Sequence, residues 1–380
     1  MSCGCALLVG PLLLRVSFAV IFAGRFLIGI GGGMACCAIP MYISETALPE
    51  KRGALEASFQ LTIEIGILLA YVVNALLLPG WAQGWQWSLA LQLPPCLLFS
   101  LLFLVLPESP RWLFLKQRHP DKVRSSLQFL RGPHVAVEAE VQEILSSGGA
   151  GCASGWREVF GSRWSFIAMS VLMLQVGTGI DMVTVYAPHI FSDIVGDSEA
   201  AGLQCTILVG VVFVSMTPVA VCAVDRFGRR PLLLVGAMLM TLSLAVVAMQ
   251  PFLPLYAHES SILSIVMVLI FVSAFSFSWG PLAWVIPSEI VHSRLRARVI
   301  CIGTILNWIA DFLVVSTFLS LTKALGRSGA FFFYAAVNCL ALIFCYLYVP
   351  ETKGMHLDGE GAEPSVRDVR RLSCDAPPES

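Results

Sequence analysis

Residues 40–55 read P-M-Y-I-S-E-T-A-L-P-E-K-R-G-A-L, a short charged turn between two long apolar segments. Its echo at residues 286–299 reads I-P-S-E-I-V-H-S-R-L-R-A-R-V, again between apolar segments. In both, a Ser-Glu pair opens the turn and an Arg follows the Glu by seven positions, as Glu45 and Arg52 and then Glu289 and Arg296, 244 residues further on. Pro107-Glu108-Ser109 recurs in the same way as Pro350-Glu351-Thr352, displaced by 243 residues. Similarity at a fixed offset marks a duplicated unit. In an apolar chain it points to a membrane protein of two homologous halves, the build of many transporters.

The composition agrees. Hydrophobic residues make up 57% of the 380 and charged residues 13%, with a mean hydropathy of +0.79. Soluble domains carry about 25% charge, so the chain is expected to be an all-α polytopic membrane protein whose first partner is the lipid bilayer. A formal net charge of −1 implies no nucleic-acid or acidic-ligand partner. The twelve Cys are scattered, with Cys3/Cys5 and Cys36/Cys37 the close sets. They read as small lipid- or core-facing residues rather than a metal site or a disulfide framework. No cofactor is expected, and no G-x-x-x-x-G-K phosphate loop appears.

Spans of about 20 apolar residues fall near 4–22, 23–43, 55–79, 87–106, 165–190, 203–224, 231–250, 262–287, 299–321 and 329–348. The first is weak. The expected organisation is a partial N-terminal bundle over 1–106, a polar linker with short helices over 107–164, a C-terminal six-helix bundle over 165–349, and a polar tail over 350–380. Lys and Arg set the orientation. Lys51 and Arg52, eight residues from Arg111 to Arg163, three in 226–230, three in 294–298 and four in the tail share one side. Lys323 and Arg327 stand opposite, and Arg15 and Arg25 lie inside spans. The crowded side is expected to be cytoplasmic. Val224-Asp225-Arg226-Phe227-Gly228-Arg229-Arg230-Pro231 would have a first-half counterpart upstream of Met1. The first half is therefore expected to lack about two spans and their loop.

The charged motifs all fall at cytoplasmic helix ends in this topology: Glu45, Arg52, Glu108, Arg111, Asp225, Arg229, Arg230, Glu289, Arg296 and Glu351. Acids and arginines placed where two bundles meet can pair when a gate is shut and part when it opens. An exposed pair contributes under about 1 kcal/mol, so only a network could bias an equilibrium of a few kcal/mol. Topology signals and helix caps are the plainer reading of the same residues.

In order and spacing, these motifs resemble the sugar-porter branch of the major facilitator superfamily, and within it the facilitative glucose transporters. The resemblance runs through Gly24-Arg25, Pro40 to Glu45, Arg52-Gly53, Pro107 to Trp112, Asp225 to Arg230, Gly280-Pro281 with Trp284, Glu289, Arg296, Asn307-Trp308 and Pro350 to Gly354. It implies two six-helix bundles, here with about ten of twelve spans, and a sugar site between them at mid-membrane, open to each side in turn. Gly280-Pro281 and Pro287 should loosen the eighth candidate span. Trp284 one turn on offers an apolar face to a sugar ring and an indole N–H to a hydroxyl. Gln175 in L-Q-V-G-T-G-I-D resembles the family's sugar-binding Gln, and Gln60 and Asn307 match cavity positions.

The chain departs from the family where a second Gln is usual and Val176 stands, and where sugar-contacting Asn residues give way to Asp181 and Asp311. Phe213 and Ser276 replace an Asn and a Glu in the same way. Glu64, one turn past Gln60, adds a third acid inside a span. Acids at lipid depth are functional candidates, so Glu64, Asp181 and Asp311 are candidate proton-coupling residues as well as hydrogen-bonding groups. The expected function is transport of a hexose or related sugar or polyol by alternating access, driven by the substrate gradient or by protons. The alternative is a transport-inactive isoform that binds other proteins. No enzyme constellation is visible.

Overall fold

The computed structural model describes residues 1–13, 18–79, 81–117, 120–132, 135–147, 156–195, 199–254 and 256–353. Among them, the secondary structure is helical throughout. The first group of helices is α1 (Ser2–Leu13), α2 (Phe18–Thr46), α3 (Pro49–Leu77), α4 (Gly84–Ala90) and α5 (Leu93–Phe103). Four short helices follow, α6 (Pro110–Gln117), α7 (Pro120–Arg131), α8 (Glu138–Ser147) and α9 (Trp156–Gly161). The last group is α10 (Arg163–Gly177), α11 (Ile180–Val195), α12 (Glu199–Phe227), α13 (Arg229–Met249), α14 (Ala257–Phe277), α15 (Trp279–Ile290) and α16 (Ser293–Tyr348).

Eight helices among the described residues are long and apolar enough to cross a membrane, against ten expected. Two features account for the difference. Helix α1 covers Ser2–Leu13 and α2 begins at Phe18, inside the expected 4–22 span, so that span does not appear as one helix of spanning length among the described residues. The spans expected at 299–321 and 329–348 are both present, but they lie in one 54-residue apolar stretch, Leu295–Tyr348, that counts once. At about 1.5 Å per residue that stretch is far longer than a hydrocarbon core of about 30 Å. The chain turns within it at Gly326, whose φ of 73° suits glycine.

Two other spans break at mid-course. Between α10 and α11, Gly179 takes a φ of 89°, and a Cβ there would lie 2.7 Å from the Tyr334 ring. Between α14 and α15 the chain bends at Ser278 (φ −131°, ψ −85°). Pro281, three residues on, has no N–H to offer the Phe277 carbonyl and its ring crowds that group. The loosening expected of Gly280-Pro281 is thus realised as a break.

The largest apolar core lies in α10–α16, where Trp279, Tyr334, Phe191, Phe271 and Phe331 are all buried. The apolar windows of these helices are 33–67% buried, whereas those of α2, α3 and α4–α5 are 6%, 11% and 6% buried. Lipid tails are as apolar as leucine, so close approach rather than water exclusion must hold such helices together. Small residues permit it. A Cβ on Gly236 would lie 1.8 Å from Ser278 Oγ, and one on Gly210 would lie 2.8 Å from a Leu68 methyl, which seats α3 against α12.

The four short helices enclose Leu113, Val123, Leu127, Val137, Val141 and Ile144. Arg131 joins them to the membrane helices. It pairs with Glu140 at 2.6 Å and donates from Nη1 to the Thr46 carbonyl at the end of α2, at 2.9 Å. Arg124 and Glu138 form an exposed pair in which the guanidinium holds the carboxyl below the usual range.

Overpacking a tight contact costs about 1–3 kcal/mol. Gly236→Ala should therefore lower the melting temperature in detergent measurably, while Gly29→Ala, with nothing within 4 Å of the added methyl, should not. Equal melting of the two variants would contradict the close approach at Ser278.

Candidate functional site

The helix break at Gly179 and the break at Ser278 are joined through one side chain. Gln175, just before the first break and 4% exposed, donates from Nε2 to the Gly280 carbonyl at 2.8 Å, with the Trp279 carbonyl at 3.4 Å. Its Oε1 accepts from Asn307 Nδ2 at 3.1 Å, and the same nitrogen reaches the Leu172 carbonyl at 2.7 Å. A mid-helix amide in lipid costs several kcal/mol if left unpaired. Here three elements satisfy one amide pair.

Gln60 approaches the same break from α3, its Cγ 3.5 Å from where a Gly280 Cβ would stand. Its Nε2 donates to Glu64 Oε1 at 3.3 Å, and Glu64 Oε2 accepts a short hydrogen bond from the Thr217 hydroxyl of α12. Glu64 is completely buried. Trp284 stands one turn past Gly280, in edge-to-face contact with Phe59 (centroids 5.4 Å, planes at 86°) and in a cluster with Leu172. Its Nε1 is buried and has no hydrogen-bond partner among the described residues. Gln60, Gln175, Trp284 and Asn307, picked out separately from sequence, are thus brought together around Gly280.

Asp181 stands at the start of α11, just past the first break, and Asp311 one turn beyond Asn307 on α16. Both are half-buried and neither is bonded to a described residue. Phe213 packs edge-on against Phe275 at 6.4 Å, and the Ser276 carbonyl lies 3.4 Å from Thr217 Oγ1.

A second cluster occupies the charged helix ends. Arg229 donates to Glu289 Oε1 from Nη2 at 3.0 Å and from Nε at 3.3 Å, and Thr352 Oγ1 donates to Glu289 Oε2 at 2.5 Å. Glu351 accepts the backbone N–H groups of Arg229 (2.9 Å) and Arg230 (3.1 Å), placing a carboxylate on the first turn of α13 where it satisfies orphan donors. Arg230 Nη2 donates to the Tyr346 carbonyl at 2.8 Å. Arg296 is buried, with Nε 3.4 Å from the Val291 carbonyl. Glu289 and Arg296, paired by spacing in the sequence, are therefore bonded to different groups. In the first half Glu45 takes a short hydrogen bond from Ser109, and Tyr42 donates to the Pro107 carbonyl at 3.0 Å. The Glu108 carboxyl is exposed while its carbonyl accepts from Ser126, and Arg111 is half-buried. The side chains of Arg52 and Asp225 lie outside the described residues. A Cβ on Gly53, next to Arg52, would be 3.8 Å from Arg229 Nη2, so this end of α3 borders the second-half cluster.

Glu56 escaped sequence reasoning. It is 2% exposed and accepts from Ser288 Oγ of α15 at 2.7 Å. Tyr71, also unremarked, donates to the Thr184 carbonyl of α11 at 2.7 Å. Positions 56, 60, 64 and 71 share one face of α3, and that spacing was the available signal.

Removing Glu289 strands a half-buried arginine, whereas removing the exposed Glu138 does not. Glu289→Ala should cost about 2–4 kcal/mol and Glu138→Ala under about 1 kcal/mol. Thermal unfolding in detergent separates them, and similar shifts would contradict the assignment of Glu289 as a shared anchor.

Residues 2–360 match the sequence profile of the family described as "Sugar (and other) transporter". The chain is 34% identical over 364 residues to the D-xylose-proton symporter of Escherichia coli K12, covering 92% of this chain and 73% of that one. It is 33% identical over 357 residues to the galactose-proton symporter of the same organism, covering 93% and 76%. Among solved structures it superposes on the proton:xylose symporter XylE bound to 6-bromo-6-deoxy-D-glucose with a TM-score of 0.80 at 30% identity, over 98% of this chain and 82% of that one. Superposition on the inward-open form of XylE from E. coli gives 0.73. The chain belongs to the sugar porters of the major facilitator superfamily, and is a transporter of that family rather than an enzyme.

Proposed function

We propose that this chain carries a hexose or a related sugar or polyol across its membrane by alternating access, together with a proton, through the cluster around Gly280. The observation that carries the site is the buried Trp284 N–H with no acceptor among the described residues. An unpaired buried donor costs about 1–3 kcal/mol. A sugar hydroxyl would satisfy it, while the indole face covers the ring. Gln60, Gln175 and Asn307 are the polar side chains gathered around the same Gly280; their amides both donate and accept, as hydroxyls require. Asp181 and Asp311, one to two turns further along, would face the sugar from its other end.

Alternating access would open and close the charged cluster. Glu45, Arg52, Glu108, Arg111, Asp225, Arg229, Arg230, Glu289, Arg296 and Glu351 form the inner gate in this reading, on the cytoplasmic side that the Lys and Arg distribution assigns. The proton is supported by relatives named as proton symporters of xylose and galactose and as an H(+)/hexose cotransporter. It is supported also by the three acids inside spans, Glu64, Asp181 and Asp311.

Proteoliposomes with an imposed pH gradient, acid outside, test the proposal with labelled xylose, galactose and glucose. Saturable uptake that overshoots equilibrium and collapses with a protonophore is expected for at least one of them. Trp284→Leu and Gln175→Ala should each raise the half-saturating concentration tenfold or more. Saturable flux that only equilibrates would overturn the proton, and no saturable flux from inserted protein would overturn the sugar.

A further inference from the structure

We propose that Glu64 is the proton-binding residue of the transport cycle, and that Gln60 links its proton to the sugar. The inference rests on the sugar-transport reading and adds to it the identity of the proton site and the route of coupling.

Glu64 is completely buried between α3 and α12. Its hydrogen-bonding neighbours are neutral: Gln60 on its own helix and Thr217 on α12, with the Ser276 carbonyl of α14 beyond Thr217. Among the described residues no charged group hydrogen-bonds to it. Along the same face Glu56, two turns back, is bonded to Ser288, and Tyr71, two turns on, is bonded to the Thr184 carbonyl. A carboxylate so placed depends wholly on the two donors it accepts from.

The surroundings accommodate both protonation states. When Glu64 is ionised, Gln60 Nε2 and the Thr217 hydroxyl both donate to it. When it holds a proton, its own O–H donates to Thr217 Oγ1, and the Thr217 hydroxyl turns to the Phe213 carbonyl at 3.3 Å or the Ser276 carbonyl at 3.4 Å. The hydroxyl can reverse because two acceptors already stand beside it. No bond other than O–H is made or broken, and the proton comes from water on whichever side is open.

Gln60 makes the link. Its side chain lies beside Gly280, within the proposed sugar pocket, yet its amide nitrogen is spent on Glu64. A sugar that takes that N–H leaves the carboxylate one donor short, which favours the neutral acid. Reciprocally, a proton on Glu64 releases the amide for the sugar. Binding of either therefore strengthens binding of the other, by the same factor.

Sugar affinity of the intact protein in detergent, measured against pH, gives the first test. The dissociation constant should fall with falling pH, by up to about tenfold per unit for one linked proton. Glu64→Gln should bind tightly at every pH and exchange sugar without accumulating it. Asp181→Asn and Asp311→Asn should keep the pH dependence. A pH dependence retained in Glu64→Gln, or lost equally in either aspartate variant, would overturn the assignment. Infrared difference spectra of the wild-type protein give a second test that needs no folded variant. Adding sugar near neutral pH should raise the band of a protonated carboxyl, and a spectrum without it would also overturn the assignment. Failure to bind sugar at any pH would instead remove the transport reading beneath it.

Discussion

Helix α3 is joined to the helices after the linker by polar contacts buried at lipid depth, and the architecture depends on that seam. Glu56 meets Ser288 on α15, Glu64 meets Thr217 on α12, and Tyr71 meets the Thr184 carbonyl on α11. In a bilayer the hydrophobic effect does not drive helices together, so polar pairing and close packing must supply both affinity and register. Three contacts along one face of α3 fix its rotation and its depth at once. Each is a hydrogen bond through a hydroxyl, worth about 1 kcal/mol, a strength that holds one arrangement without forbidding another.

That modest strength suits a protein that must change shape. The two helix breaks lie against the same seam, one held by Gly179 under the Tyr334 ring and one by Ser278 against Gly236. Broken helices are tolerated at membrane depth where the freed groups are paired by protein or line a cavity. Gln175 does part of that pairing by bonding the Gly280 carbonyl, so a side chain proposed to meet the sugar is one that now holds the break together. A ligand that draws on Gln175, Gln60 or Trp284 would alter the breaks and the seam together. At the charged end, Glu289 and Glu351 tie the start of α13 to α15 and to Thr352. Arg229, beside Gly53, puts that knot at the edge of α3.

Much of this was legible in the sequence. The apolar spans, the duplicated Ser-Glu turns and the resemblance to sugar porters named the fold, and Gln60, Gln175, Trp284 and Asn307 proved to be neighbours. What stayed hidden follows from physics that hydropathy and spacing do not carry. The start of α2 at Phe18, inside the expected 4–22 span, is one such case, since a helix end within a largely apolar stretch leaves no step in hydropathy. The choice of partners was equally invisible: Glu289 goes to Arg229 and Thr352, which the seven-residue spacing to Arg296 did not suggest. Glu56 carries no motif of its own, and its position becomes informative only beside its helical neighbours. With Gln60, Glu64 and Tyr71 it forms a polar stripe on a helix that would otherwise read as wholly lipid-facing.

If the α3 seam is what opens and closes, its charged end must move when sugar binds. Spin labels at the exposed positions Leu55 on α3 and Phe227 at the end of α12 report that movement directly by electron–electron double resonance in nanodiscs. Two distance populations are expected, with transported sugar at low pH shifting the balance between them and a non-transported sugar leaving it unchanged. A single distance that is indifferent to sugar and pH would contradict the account.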